Sequence, residues 1–139
     1  MKYPEIGLAT RRLVCFNDKG FCRYYVGVRE SQKPCEWAYF SIETLELLKK
    51  HAGARADRKD LWEYAKRHDL LRPKYLRKVG WRLLVQAIFD KDVARFIQSR
   101  FSELKVSEAR YGDLLGRADE LYPKYLGYLR QMISPIHDE

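Results

Sequence analysis

The chain has 139 residues, 46% hydrophobic and 33% charged, which suits one domain with a single core and excludes a disordered chain. No apolar run approaches the roughly 18 residues that span a bilayer. The start, Met1-Lys2-Tyr3-Pro4-Glu5-Ile6, lacks a signal-peptide core, so a cytoplasmic protein without membrane partners is expected. Lys and Arg number 27 against 19 Asp and Glu, and the resulting +8 favours polyanionic partners, nucleic acid first among them.

The first third reads as strands. Arg12 to Phe16 runs into the turn cluster Asn17-Asp18-Lys19-Gly20, where Gly supplies a positive φ. Phe21 to Arg29, dense in Tyr and Val, forms a second strand. Glu30 to Pro34 breaks it, and Cys35 to Phe40 forms a third. The pattern predicts an antiparallel three-stranded meander with tips near Lys19 and Lys33.

Helices are predicted for the remainder. Ser41 caps one that ends near Gly53, and Asp57 caps a second carrying Leu61, Trp62 and Ala65. Pro73 sits in the first turn of a third, with Leu76, Val79, Gly80, Leu83, Leu84, Ala87 and Ile88 on its buried side. Asp90 opens a fourth through Ile97. Ser107 caps a fifth with Tyr111, Leu114, Leu115 and Ala118, and Pro123 starts a sixth through Met132. A small meander followed by a helical body is α+β, and residues 1–139 read as one domain without repeats or linkers.

Cys15, Cys22 and Cys35 match no CxxC pair and have no nearby His, so they read as reduced, buried packing thiols rather than metal ligands. Trp37, Trp62 and Trp81 read as core or helix–sheet contacts, and the three histidines carry no assigned role. Several polar residues stand at unusual places. Lys33 lies at a hairpin tip, Lys74 and Arg77 share a face near a helix start, Arg100 ends an otherwise apolar helix, and Tyr111 follows Arg110. By spacing alone these are a solvated tip, an exposed helix face and a packing tyrosine.

Taken together, four segments resemble the tyrosine recombinase (phage integrase) family, in particular integrases of archaeal viruses and plasmids. Gly20 to Tyr24, through Lys33 to Ser41, looks like the family's lysine-bearing hairpin. Lys74-Tyr75-Leu76-Arg77 is similar to its H/K-x-x-R motif, and Phe96-Ile97-Gln98-Ser99-Arg100 to its F-I-Q-G-R segment. Arg110-Tyr111, followed by Ala118 to Tyr122, is similar to its nucleophile-bearing HY segment. The matches fall in family order over roughly residues 20 to 130.

The resemblance implies a catalytic-domain segment that acts on double-stranded DNA without cofactor or metal. By resemblance, Tyr111 would attack a phosphodiester to form a 3′-phosphotyrosyl bond, and Lys33 would protonate the leaving 5′-oxygen. Lys74, Arg77 and Arg100 would hold the non-bridging oxygens, with Arg110 adding a DNA contact and neighbouring cations helping Tyr111 to ionise.

Three departures qualify this. Gly7-Leu8-Ala9-Thr10 has no Arg where the family places one upstream of the hairpin, although Arg11 and Arg12 are near; Ser99 replaces Gly; and Arg110 replaces His. The family's N-terminal DNA-binding domain has no counterpart here, so a truncated C-terminal segment is expected. It would act as a strand transferase, with itself, an intact integrase or an N-terminal integrase fragment in a synaptic complex, or as an inactive DNA-binding or integrase-pairing module. A helix-turn-helix regulator could use the helices from Asp57 to Ile88, but it leaves the meander and the ordered motifs unexplained.

Overall fold

The computed structural model describes residues 10–27, 36–55, 57–100 and 107–137. A 3-10 turn, Thr10–Arg12, leads into strands β1 (Leu13–Phe16), β2 (Phe21–Tyr25) and β3 (Trp37–Ser41), which pair antiparallel in the order β1-β2-β3. Helices α1 (Ile42–Lys50), α2 (Arg58–Arg67), α3 (Pro73–Ile88), α4 (Lys91–Ile97) and α5 (Glu108–His137) follow. The fold is α+β, a small meander followed by a helical body.

Local chemistry sets most boundaries. At the β1–β2 turn Gly20 takes φ +76, and its amide donates to the Phe16 carbonyl at 2.9 Å. Ser41 Oγ accepts from the Thr44 amide, and Asp57 accepts from that of Lys59. Asp90 accepts from the amides of Asp92 and Val93, and Pro73 occupies the first turn of α3. Each device satisfies helix-start donors or dispenses with one, which is why these starts follow single residues.

The register Phe16↔Phe21↔Ser41 and Arg23↔Tyr39 puts Phe16, Phe21, Arg23, Tyr39 and Trp37 on one sheet face. That face packs on the helical body. Phe21, fully buried, stacks on Phe16 at 4.7 Å and meets Tyr122 edge-on at 5.3 Å. A larger apolar cluster joins Leu84 and Ile88 of α3, Val93, Ala94 and Phe96 of α4, and Leu114 and Ala118 of α5.

At the sheet–helix boundary lies an ion pair. Arg23 Nε contacts the Asp119 carboxylate at 3.1 Å, the Tyr39 hydroxyl donates to the same carboxylate at 3.0 Å, and the Arg23 guanidinium lies 4.3 Å from the Trp37 ring. Burial pushes the Asp119 carboxyl above the ordinary aspartate range, against the pull of Arg23 and Tyr39. Burial, then the Asp119 carboxylate, raises the Tyr39 phenol further still.

Three expectations for the helices are corrected. Pro123 does not begin a new helix: α5 runs unbroken from Glu108 to His137. An interior proline costs about 3 kcal/mol, but burying Leu114, Tyr122 and Leu126 on one stripe contributes about 1.5–3 kcal/mol each and outweighs it. The first half of α3 is not buried, for Leu76 and Val79 are exposed, as are Leu61 and Trp62 of α2. Within the described chain α2 packs mainly on α3, so its apolar side has no layer opposite.

The cysteines also differ from expectation. Cys15 and Cys22 stand opposite each other in the β1–β2 register, Cα atoms 4.2 Å apart, and form a disulfide. Cys22 is buried but Cys15 is exposed, and Cys35 lies outside the described residues.

Removing Asp119 leaves Arg23 enclosed without its counter-ion. Asp119→Ala is expected to lower unfolding free energy by about 3 kcal/mol in denaturant titration, and the double variant Arg23→Met/Asp119→Ala to lose less than the sum of the single variants. Additive losses would mean that the two groups are not coupled.

Candidate functional site

Two of the sequence-predicted residues, Arg77 and Arg100, share a hydrogen-bond partner that the sequence did not single out, Gln98. Arg77 projects from the second turn of α3, and Arg100 follows α4, 23 positions later. Arg77 Nη2 donates to the Gln98 carbonyl at 3.3 Å, and Arg100 Nε donates to Gln98 Oε1 at 3.2 Å. Gln98 Nε2 donates back to the Arg77 carbonyl at 3.3 Å, and the Arg100 guanidinium lies 4.5 Å from the Trp81 ring centroid.

The chain reversal that delivers Arg100 has an identifiable cause. The Arg100 amide donates to the Arg95 carbonyl at 2.8 Å and that of Ser99 to Phe96 at 3.1 Å, a Schellman arrangement ending α4. Its pivot, Ser99, has φ +56 and is buried. Left-handed backbone favours glycine, which explains why a glycine fits this position and makes Ser99 a tolerated but strained occupant.

Neither Arg77 nor Arg100 meets a carboxylate among the described residues. Arg23, Arg95, Arg110, Arg117 and Arg130 all do. Arg110 in particular reaches Asp92 at 3.1 Å and Asp113 at 3.0 Å, so its charge is offset locally. Lys74 is exposed one turn before Arg77, its Nζ 4.8 Å from the Tyr75 ring. Lys33 lies outside the described residues.

Tyr111 is held elsewhere, in the first turn of α5. Its ring packs edge-on against Phe96 at 5.4 Å, and its hydroxyl accepts from Trp37 Nε1 at 2.6 Å. The phenol is pushed up to about 12, first by burial and then by a hydrogen bond to the Glu36 carboxylate, while the Trp37 bond pulls it down. The expected help from neighbouring cations is therefore not realised in this conformation. Burial dominates, and the specific partners of the hydroxyl are a carboxylate and an indole, the latter 74 positions away.

A sequence model of the archaeal phage integrase family matches residues 8–128. The chain belongs to the archaeal phage integrase family. Its role therefore lies in DNA integration or recombination by a mobile element. No curated protein and no solved structure matches the chain. Among the described residues no His, Cys, Asp and Glu side chains group as a metal site, and no helix is long and apolar enough to cross a membrane.

Sequence reasoning missed Gln98 and Asp119 as organisers, although both lie inside family-like segments. Asp119 carried a signal of its own: a carboxylate between Leu115 and Tyr122 on the inward side of a helix needs a buried cation.

Two outcomes follow. In spectrophotometric titration the difference between wild type and Tyr111→Phe should show one phenol ionising near 12, above free tyrosine at about 10. Because the folded pKa is raised, the stability linked to this phenol is full below pH of about 10 and is lost as pH rises through the folded value. Ionisation at or below about 10 would contradict the Glu36–Trp37 clamp. For the turn, Ser99→Gly should hold or raise stability, by up to about 1 kcal/mol, whereas Ser99→Val should lower it by about 2 kcal/mol.

Proposed function

We propose that this integrase-family chain cleaves and rejoins double-stranded DNA by tyrosine strand transfer, as the catalytic segment of the enzyme. The observation that carries the reading is the Arg77–Arg100 pair: two guanidiniums from separate elements both hydrogen-bond Gln98, and neither is neutralised by a carboxylate among the described residues. A phosphodiester undergoing in-line attack gains negative charge on its non-bridging oxygens, and fixed cations stabilise that charge without reorganising.

In this reading the Tyr111 oxygen bonds to phosphorus as the bond from phosphorus to the 5′-oxygen breaks. The phenol proton passes to solvent water, and Lys33 supplies a proton to the departing oxygen. Arg77 and Arg100, with Lys74 a turn away, hold the phosphate. Attack by a 5′-hydroxyl then reverses the step, so energy is conserved in the phosphotyrosyl bond and no ATP is needed. Before attack the Tyr111 hydroxyl leaves Trp37 and Glu36, because a phenol pushed up to about 12 is a poor nucleophile near neutral pH.

DNA binding has further support in the α2–α3 surface. Arg72 and Lys66 stand within 5.5 Å of the exposed Trp62 ring, and Lys74 and Lys78 flank Tyr75. Cations alternating with exposed rings suit a phosphate backbone and its sugars. The upstream arginine of the family has no clear counterpart: Arg11 and Arg12 form the turn before β1, and Arg12 Nη1 donates to the Val26 carbonyl at 3.5 Å.

The test uses a DNA duplex nicked beside the scissile phosphate, so that the cleaved fragment diffuses away and the covalent complex accumulates. Weak trapping is expected from this chain alone, with a rise when a polypeptide carrying an arginine-bearing upstream helix is added. Loss of one comparable electrostatic contact costs about 10²–10³ in rate. Tyr111→Phe should abolish trapping. Arg77→Ala or Arg100→Ala should also weaken DNA binding and reduce the slope of log affinity against log salt by about one. Trapping that survives Tyr111→Phe would overturn the nucleophile; salt-dependent binding with no trapping under any condition would leave a DNA-binding module.

A further inference from the structure

We infer that Gln98 is a positioning residue that holds the Arg77 and Arg100 guanidiniums as one phosphate-binding unit. The inference rests on the proposed role of those two arginines. Gln98 engages both: its main-chain carbonyl accepts from Arg77, while its side chain ties the other two ends, Oε1 accepting from Arg100 and Nε2 donating to the Arg77 carbonyl. A glutamine offers an acceptor and two donors on one rigid plane, so a single side chain can tie a helix backbone to a guanidinium. Arginine otherwise has high rotamer freedom, and fixing the two guanidiniums in advance lowers the cost of ordering them around an anion.

The surroundings fit this role. Trp81 lies against the Arg100 guanidinium at 4.5 Å, so that group is held on its edge by Gln98 and on its face by the indole. Gly80 leaves the space the amide occupies: a Cβ there would meet Gln98 Nε2 at 3.4 Å and the Tyr125 hydroxyl at 3.9 Å. Alanine at position 80 would just fit, and a larger side chain would displace the amide. Gln98 also sits at the end of α4, immediately before the Ser99 pivot, so it belongs to the same reversal that delivers Arg100.

The two bonds leave the guanidiniums with other N–H groups for a ligand, since each carries five donors. Gln98 itself brings no charge to a phosphate. Its loss should therefore weaken binding without removing an ionic contact.

The experiment compares wild type with Gln98→Met, which keeps the side chain's length but removes the amide, on the whole chain. Affinity for a fluorescently labelled duplex is measured over a salt series, and the Arg100 Nε–H signal is followed by ¹H–¹⁵N NMR. The expected result is affinity reduced about threefold to tenfold, with an unchanged salt slope and faster solvent exchange of Arg100 Nε–H. Gln98→Glu, which retains an oxygen acceptor, should restore slow exchange. Wild-type affinity in Gln98→Met overturns the inference, and so does unaltered Arg100 exchange. If Gln98→Met fails to fold, Gly80→Leu, which displaces the amide from outside, must reproduce both effects or the inference falls. Arg77→Ala and Arg100→Ala distinguish the two levels. Wild-type binding by those variants sinks the phosphate-binding reading together with this one, whereas normal losses there beside an inert Gln98→Met sink this one alone.

Discussion

The Asp119 carboxylate joins the two halves of the molecule. It stands on α5, yet its partners Arg23 and Tyr39 belong to β2 and β3, so one carboxylate ties the longest helix to two strands of the sheet, beside the Phe21–Tyr122 contact. The arrangement balances opposing terms. Burial works against ionising Asp119, while the guanidinium and the phenol favour it, and the Arg23 face is covered by Trp37. Such a pair adds little net stability over a well-packed apolar substitute, but breaking it is costly, so it specifies geometry more than it raises stability.

The geometry it specifies reaches the candidate site. Tyr111 lies two helical turns before Asp119 on α5, and Trp37, which donates to the Tyr111 hydroxyl, also stacks on Arg23. The clamp on Tyr111 and the buried ion pair thus share a residue. Arg77 and Arg100 are organised separately, by Gln98 and the reversal after α4, and both groups of residues rest on the same apolar cluster through Phe96 and Trp81. The Arg77 and Arg100 guanidiniums are thus held apart from any carboxylate among the described residues, while burial and Glu36 keep the Tyr111 phenol protonated; under the proposed mechanism this would hold back a reactive phenolate until DNA binds.

What the sequence made legible was what depends on neighbours in the chain. Ser41, Asp57, Asp90 and Pro73 start helices through contacts within four residues, and the Gly20 turn needs only its own backbone. Pro123 misled because its local preference for a helix start is overridden by the burial of Tyr122 and Leu126 on either side. The apolar stripes of α2 and early α3 have core-like spacing, but spacing does not report whether another layer covers them, and Leu61 and Leu76 stay exposed. The Cys15–Cys22 pair follows from strand register rather than from any motif. At the site, family-like motifs brought Arg77 and Arg100 to notice, whereas Gln98, a neutral amide, and the Trp37–Tyr111 bond depend on contacts across 21 and 74 positions and have no local signature.

In the proposed mechanism Tyr111 leaves Trp37 when DNA occupies the Arg77–Arg100 pair. Fluorine NMR of the chain labelled with 5-fluorotryptophan reads this directly, since Trp37, Trp62 and Trp81 can be assigned by substitution. On adding duplex DNA the Trp37 resonance should move toward its position in Tyr111→Phe, where the hydroxyl acceptor is missing, and should not move further when DNA is added to that variant. A Trp37 resonance unchanged in wild type saturated with DNA would contradict the account, because the hydroxyl would then still be held on the sheet.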